Sequence, residues 1–148
     1  MTNHNFDNLK LENQLCFPLY AASKEIVKRY RPFLDDLNLT YTQYITMMVL
    51  WEHKRLNVKE LGEKLYLDSG TLTPVLKSLE AKGYVLRTRS VRDERVLIVE
   101  LTKEGEALKE RASHVPEKIG NCVRLDPNES MTLYGLLYKL LAGMEDEK

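Results

Sequence analysis

The chain has 148 residues, enough for one domain or one domain with helical extensions, and its 43% hydrophobic content can fill a core. Lys plus Arg and Asp plus Glu each number 22, so formal net charge is zero, and a surface for nucleic acid has to arise by segregating charge. No apolar run reaches bilayer length and the N-terminus has no secretory pattern, so the chain is expected in the cytoplasm, where two cysteines form no permanent structural bridge.

Cys16, Tyr20, Ser23, Val27 and Tyr30 recur at helical spacing and predict a first helix from about Asp7 to Phe33. Pro18 should kink it or mark a later start, and Pro32 should close it. Leu39-Thr40-Tyr41-Thr42-Gln43-Tyr44 opens a second helix: Thr40 caps, Gln43 completes a capping box and Leu39 staples to Tyr44. Ile45, Met48, Val49 and Trp51 are its expected core residues. Asn57, with Glu60 three residues on, caps a third helix that presents Val58, Leu61 and Leu65 and ends near Tyr66-Leu67. Asp68 and Ser69 are both good caps for the fourth, while Pro74 favours a later start, so the choice stays open. Leu72, Val75, Leu76 and Leu79 form its apolar stripe and Gly83 its stop. Val85 to Ser90 and Val96 to Leu101 are strand-like runs around the charged tip Val91-Arg92-Asp93-Glu94-Arg95. Thr102 caps a long helix through Leu108 and Ala112 that Pro116 is expected to kink. Asp126-Pro127-Asn128-Glu129 opens the last helix, with Asp at the cap and Pro at the first position.

Helix, tight turn, helix and ribbon together make a winged helix-turn-helix, which lays one helix in a DNA major groove and a cationic ribbon beside it. Ser69, Thr71, Thr73, Lys77 and Ser78 fall on the outer faces of the fourth helix, where short hydroxyl side chains allow close approach to phosphates and bases. A solvated face is the plain alternative for any one of them. Lys77, Lys82, Arg87, Arg89, Arg92 and Arg95 gather positive charge, while Glu145, Asp146 and Glu147 crowd the far end, so DNA binding should depend strongly on salt. Asp93, two residues before Arg95, can brace the guanidinium outward and reduce the entropy lost on contact. Leu133, Tyr134, Leu137, Tyr138, Leu140, Leu141 and Met144 cover more than one stripe of the last helix, which calls for a second subunit; packing against the first helix is the alternative. The expected fold is mostly α with a small β-ribbon, in one chain over residues 1–148. A winged helix-turn-helix over 40–101 is flanked by N- and C-terminal dimerisation helices over 7–33 and 103–146.

On residue chemistry alone, Cys16 reads as a small buried hydrophobe. His4, His53 and His114 show no metal-ligand spacing with the cysteines, so neither metal nor cofactor is expected. A lone thiol oxidises stoichiometrically, which argues against an enzyme such as a thiol peroxidase.

Several blocks in order resemble the MarR-type transcriptional regulators, and within them the organic-hydroperoxide-sensing OhrR branch. They are Leu11-Glu12-Asn13-Gln14-Leu15-Cys16-Phe17, Leu39 to Tyr44, Leu50-Trp51-Glu52, Tyr66 to Pro74 and Asp93-Glu94-Arg95. The resemblance implies a dimeric repressor on an inverted-repeat operator, released when an organic hydroperoxide oxidises Cys16 to a sulfenic acid. It implies that Tyr30 and Tyr41 hydrogen-bond the thiol, Tyr41 from the other subunit, and so favour its thiolate. Tyr20, one turn from Cys16, would line the same pocket. Such regulators either cap the sulfenic acid with a small thiol or resolve it with a distant second cysteine bridging between subunits. Cys122 is the resolving candidate or a bystander. Pro18 departs from the nonpolar, non-proline residue expected after the cysteine motif. The competing reading is a MarR-type repressor released by a small aromatic or acidic ligand, with the cysteines incidental.

Overall fold

The computed structural model describes residues 5–145, so His4, Asp146 and Glu147 lie outside it, as does residue 146 at the end of the expected dimerisation segment. The chain divides into two compact units between Pro116 and Glu117. The first unit holds helices α1 (Cys16–Asp35), α2 (Tyr41–His53), α3 (Val58–Leu65), α4 (Ser69–Ala81) and α5 (Lys103–Ala112), with strands β1 (Arg55–Asn57), β2 (Val85–Arg89) and β3 (Leu97–Leu101). Helix α6 (Val115–Gly120) spans the division, and α7 (Pro127–Glu145) belongs to the second unit.

Helix α1 starts later than the periodicity suggested. Two 3-10 turns, Asp7–Leu9 and Leu11–Asn13, precede it. Asn13 Nδ2 donates to the Asp7 carbonyl at 2.7 Å, and Gln14 Nε2 to those of Asn8 and Lys10 at 2.8 Å. These side chains satisfy carbonyls that a continuous helix would have paired. Pro18 then falls in the first turn of α1, where a missing N–H leaves nothing unpaired. Pro32 does not close the helix, contrary to expectation, because α1 runs on to Asp35. Buried Leu34 anchors that last turn in the core, and its carbonyl accepts the N–H groups of Leu37 and Leu39 at 3.0 and 3.1 Å.

Helix α2 carries the expected capping box: Gln43 N–H donates to Thr40 Oγ1 and Thr40 N–H to Gln43 Oε1. Its inward face is set by Tyr44, Met47, Leu50 and Trp51, all buried. Met48, expected in the core, is exposed instead, since one residue further along turns a side chain about 100° around the axis. Ile45 and Val49 are half-buried against the core. Trp51 Nε1 donates to the Gly105 carbonyl at 2.8 Å and ties α2 to α5.

Asn57 caps α3, accepting from Glu60 N–H at 2.7 Å, and Tyr66 ends it in the left-handed region at φ 55°. The open choice of cap for α4 falls to Asp68, which accepts from Thr71 N–H at 2.7 Å. Pro74 lies exposed inside α4 without delaying it, while Leu72 and Leu76 bury the inward face of the helix. Gly83, at φ 83°, is the stop: its N–H donates to the Glu80 carbonyl and that of Tyr84 to Leu79.

The ribbon pairs β2 with β3 antiparallel, Arg87 opposite Val99. A third strand, β1, which the sequence did not disclose, pairs with β3 at Leu56 opposite Val99, giving the order β1-β3-β2. Beneath it Val85, Val99, Leu61, Leu72, Leu76 and Leu79 form one core with α1, α2 and α5. Pro116 does not kink a continuous helix. Helix α5 ends at Ala112, the residue whose carbonyl the proline cannot pair, and α6 starts at Val115.

In the second unit Asp126 and Glu129 cap α7 reciprocally: Glu129 N–H donates to Asp126 Oδ1 at 2.8 Å and Asp126 N–H to Glu129 Oε1 at 3.0 Å. No residue of α7 is buried.

Candidate nucleic-acid interface and sensor cysteine

Helix α4 follows α3 through a three-residue turn capped by Asp68, whose carboxyl the Thr71 amide and hydroxyl hold below the usual carboxylate range. Ser69, Thr71 and Lys77 are exposed on it. Thr73 is half-buried, its hydroxyl donating to the Ser69 carbonyl at 2.7 Å. Ser78 does not face outward as expected. It is half-buried and its Oγ meets Gln43 Nε2 at 2.9 Å. Lys82 also turns inward, donating to the Asn38 carbonyl and, at 3.0 Å, to Gln43 Oε1; burial holds its ammonium below the usual lysine range.

On the wing, Arg89, Arg92 and Arg95 are exposed. The Arg95 side chain is 91% exposed, yet its direction is fixed by Asp93. Nε donates to Oδ1 at 3.2 Å, Nη2 to Oδ2 at 3.4 Å and the Arg95 backbone N–H to Oδ1 at 3.0 Å. The side-chain and then the backbone bonds from Arg95 hold the Asp93 carboxyl below its ordinary range. Arg87 is placed differently. Its side chain is only 19% exposed, with Nε and Nη2 on Glu80 Oε1 and its backbone N–H on Glu80 Oε2 at 3.0 Å. It fastens β2 to the last turn of α4 and stands apart from the exposed arginines of the tip.

In the single chain Cys16 is exposed at the first position of α1. Exposed Leu15, Phe17, Leu19 and Tyr20 surround it in sequence, with the Lys24 ammonium 5.1 Å above the Tyr20 ring. Tyr30, Tyr41 and Tyr44 form a separate cluster. Ring centroids are 4.9 Å apart for Tyr30–Tyr41, 5.8 Å for Tyr30–Tyr44 and 6.4 Å for Tyr41–Tyr44. Burial pushes all three phenols up, Tyr44 to about 12. Cys16 and Tyr30 lie on one helix, about 21 Å apart along its axis at the α-helical rise. The implied division, with Tyr41 alone coming from the other subunit, therefore does not fit. Tyr30 and Tyr41 are neighbours on one chain, so a single thiol within reach of both would have to come from a partner subunit.

Cys122 is exposed just beyond α6, its Sγ 3.6 Å from the Lys118 carbonyl. Among the described residues no cluster of ligands could hold a metal, and no helix is long and apolar enough to cross a membrane. Three residues of these sites escaped the sequence reading: Tyr44, Gln43 beyond its capping role, and Glu80. Their partners lie outside the local windows that reveal caps and stripes, at Tyr30, Ser78 and Arg87.

Residues 24–112 match the family described as transcriptional regulator SarA/Rot. Over 142 residues, 96% of this chain and 97% of the relative, the sequence is 50% identical to the organic hydroperoxide resistance transcriptional regulator of Bacillus subtilis strain 168. The chain belongs to the MarR-type winged-helix transcriptional regulators. Among solved MarR-type structures, reduced AbfR bound to DNA superposes with a TM-score of 0.79 at 34% identity, over 95% of this chain and 96% of that one. The disulfide-formed AbfR gives 0.64 at 36% identity, over 91% and 95%. AbfR is a protein of Staphylococcus epidermidis.

Proposed function

We propose that the protein is a dimeric DNA-binding repressor that senses organic hydroperoxides by oxidation of Cys16 and then releases its operator. The observation that carries this reading is an exposed cysteine at the head of α1 in a chain half identical to a hydroperoxide resistance regulator. In the reduced dimer, α4 offers Ser69, Thr71, Thr73 and Lys77 to a major groove, and the wing offers Arg89, Arg92 and Asp93-braced Arg95 to phosphates or the adjacent minor groove. Arg87 contributes by fixing the wing to α4.

The Cys16 thiolate attacks the terminal oxygen of the hydroperoxide, and the O–O bond breaks. The peroxide leaves as an alcohol after protonation, and sulfur, oxidised by two electrons, becomes a sulfenic acid. Tyr30 and Tyr41 of the partner subunit donate hydrogen bonds to the sulfur, and Tyr20 shapes the approach. A second thiol condenses with the sulfenic acid, forming a disulfide and releasing water. Cys122 is the other cysteine of the chain, and the existence of a disulfide-formed AbfR supports a bridge of this kind.

Treating the protein with cumene hydroperoxide, then running mass spectrometry and DNA-binding titrations in parallel, tests the reading. The wild type should gain oxygen or a disulfide at Cys16 and lose its duplex, while Cys16→Ser keeps it. A Cys16→Ser protein that lets go of DNA as readily as the wild type would falsify the sensing role. Absence of a Cys16–Cys122 peptide in the oxidised wild type, with normal recovery of Cys122→Ser, would make Cys122 a bystander.

A further inference from the structure

We propose that Gln43 is a positioning residue that carries the state of the tyrosine cluster to helix α4. The proposal rests on the sensing reading above and goes beyond it. Gln43 is a buried polar residue, 7% exposed, and its amide is used in both directions. Oε1 accepts from the Thr40 N–H and the Lys82 ammonium, each at 3.0 Å, and Nε2 donates to Ser78 Oγ at 2.9 Å. Among the described residues, every side-chain hydrogen bond from α2 to α4 or its cap runs through this one amide. Beside these bonds, Met47 and Leu50 of α2 and Leu76 and Leu79 of α4 belong to one apolar core. Apolar contact is non-directional and tolerates small slides, whereas a hydrogen bond is lost within a fraction of an ångström and a few tens of degrees.

Its neighbours explain what Gln43 can report. Tyr41 and Tyr44 flank it in the first turn of α2, and both rings touch Tyr30 of α1. Lys82 also bonds the carbonyl of Asn38, in the link between α1 and α2. Both tyrosine-bearing segments are thus tied to the same end of α4. When oxidised Cys16 of the partner displaces Tyr30 or Tyr41, the first turn of α2 moves with them and pulls on Ser78 and Lys82. A chain of discrete hydrogen bonds with made and broken states can transmit that shift, which loose packing would absorb.

The test compares wild type, Gln43→Met and Ser78→Ala as full-length proteins, reduced and after cumene hydroperoxide. The probe is a duplex selected for binding the reduced wild type. The readout is the ratio of oxidised to reduced Kd, with Cys16 oxidation followed by mass spectrometry. Each variant should oxidise like the wild type, and its Kd ratio should fall about tenfold, an ordinary size for coupling between sites. A merely structural role for Gln43 would weaken both states alike, and an unchanged ratio overturns the proposal. If thermal melting shows that Gln43→Met does not fold, the ratio for Ser78→Ala decides alone. A wild type that oxidises yet keeps its duplex overturns the sensing reading and this inference with it. A wild type that lets go, beside variants that let go equally, overturns this inference only.

Discussion

Arg95 is a flexible, nearly fully exposed side chain that the protein nonetheless aims, because both oxygens of Asp93 are occupied by its guanidinium. A free arginine would lose rotamer entropy on meeting a phosphate or a minor groove, and the brace removes part of that loss beforehand. Arg95→Ala should therefore weaken DNA binding by about 1–3 kcal/mol and flatten the salt dependence by about one ion. Asp93→Ala should cost less, since the charge stays and only its direction is lost. Titrations at several salt concentrations measure both, and an Arg95→Ala protein with wild-type affinity and slope would show that the wing tip stays off the DNA. This pair was legible because its partners are two residues apart. Arg87 was not, because its carboxylate partner, Glu80, sits on another element. In sequence the two arginines look alike, but one stands exposed at the wing tip and the other fastens β2 to α4.

At the scale of elements, caps carried the reading well. Thr40 with Gln43, Asn57 with Glu60, and Asp126 with Glu129 all bond as their three-residue spacing requires. What local pattern missed was set by tertiary contact. Leu34 carries α1 past Pro32, a three-residue β1 is too short to show alternation, and the inward face of α2 falls on Met47 rather than Met48. Gly105 is another such point. It lies in the first turn of α5, its N–H on the Thr102 cap and its carbonyl on Trp51. A Cβ there would collide with the Tyr84 carbonyl and come within 2.7 Å of Leu101 Cδ1. Backbone cannot swing aside as a side chain can, so Gly105→Ala should destabilise the first unit by about 1–3 kcal/mol. Gly143→Ala, with nothing within 4 Å of its Cβ, is the control. Equal denaturation midpoints for wild type and Gly105→Ala would mean that α5 can back away from the sheet at no cost.

Across the whole molecule, the core is gathered in the first unit, while α7 buries none of its residues although Leu133, Leu136, Leu140, Met131, Tyr134 and Tyr138 lie along it. Helix α1 shows the same imbalance, with Leu34 its one buried residue and Phe17, Leu19, Ile26 and Val27 exposed. Apolar surface of this extent on each of the two long helices calls for a covering partner, and we propose a second copy of the chain related by two-fold symmetry. The excess of apolar residues on the last helix was visible in the sequence. That it stays uncovered was not, because periodicity says which residues avoid water and not which chain shields them. The dimer sets the distance between the two α4 helices, so it should select an inverted repeat with half-sites about 10 bp apart. Deleting the chain from Met131 onward should leave the winged unit folded, since its core residues all precede the cut. The truncated protein should sediment as a monomer and lose the full operator, because a single reader forfeits the second half-site and its phosphate contacts. Ultracentrifugation checks the assembly, circular dichroism the fold, and titration the affinity. A folded monomer that held the inverted repeat as tightly as the dimer would mean that one winged unit suffices, and the spacing argument would fall with it.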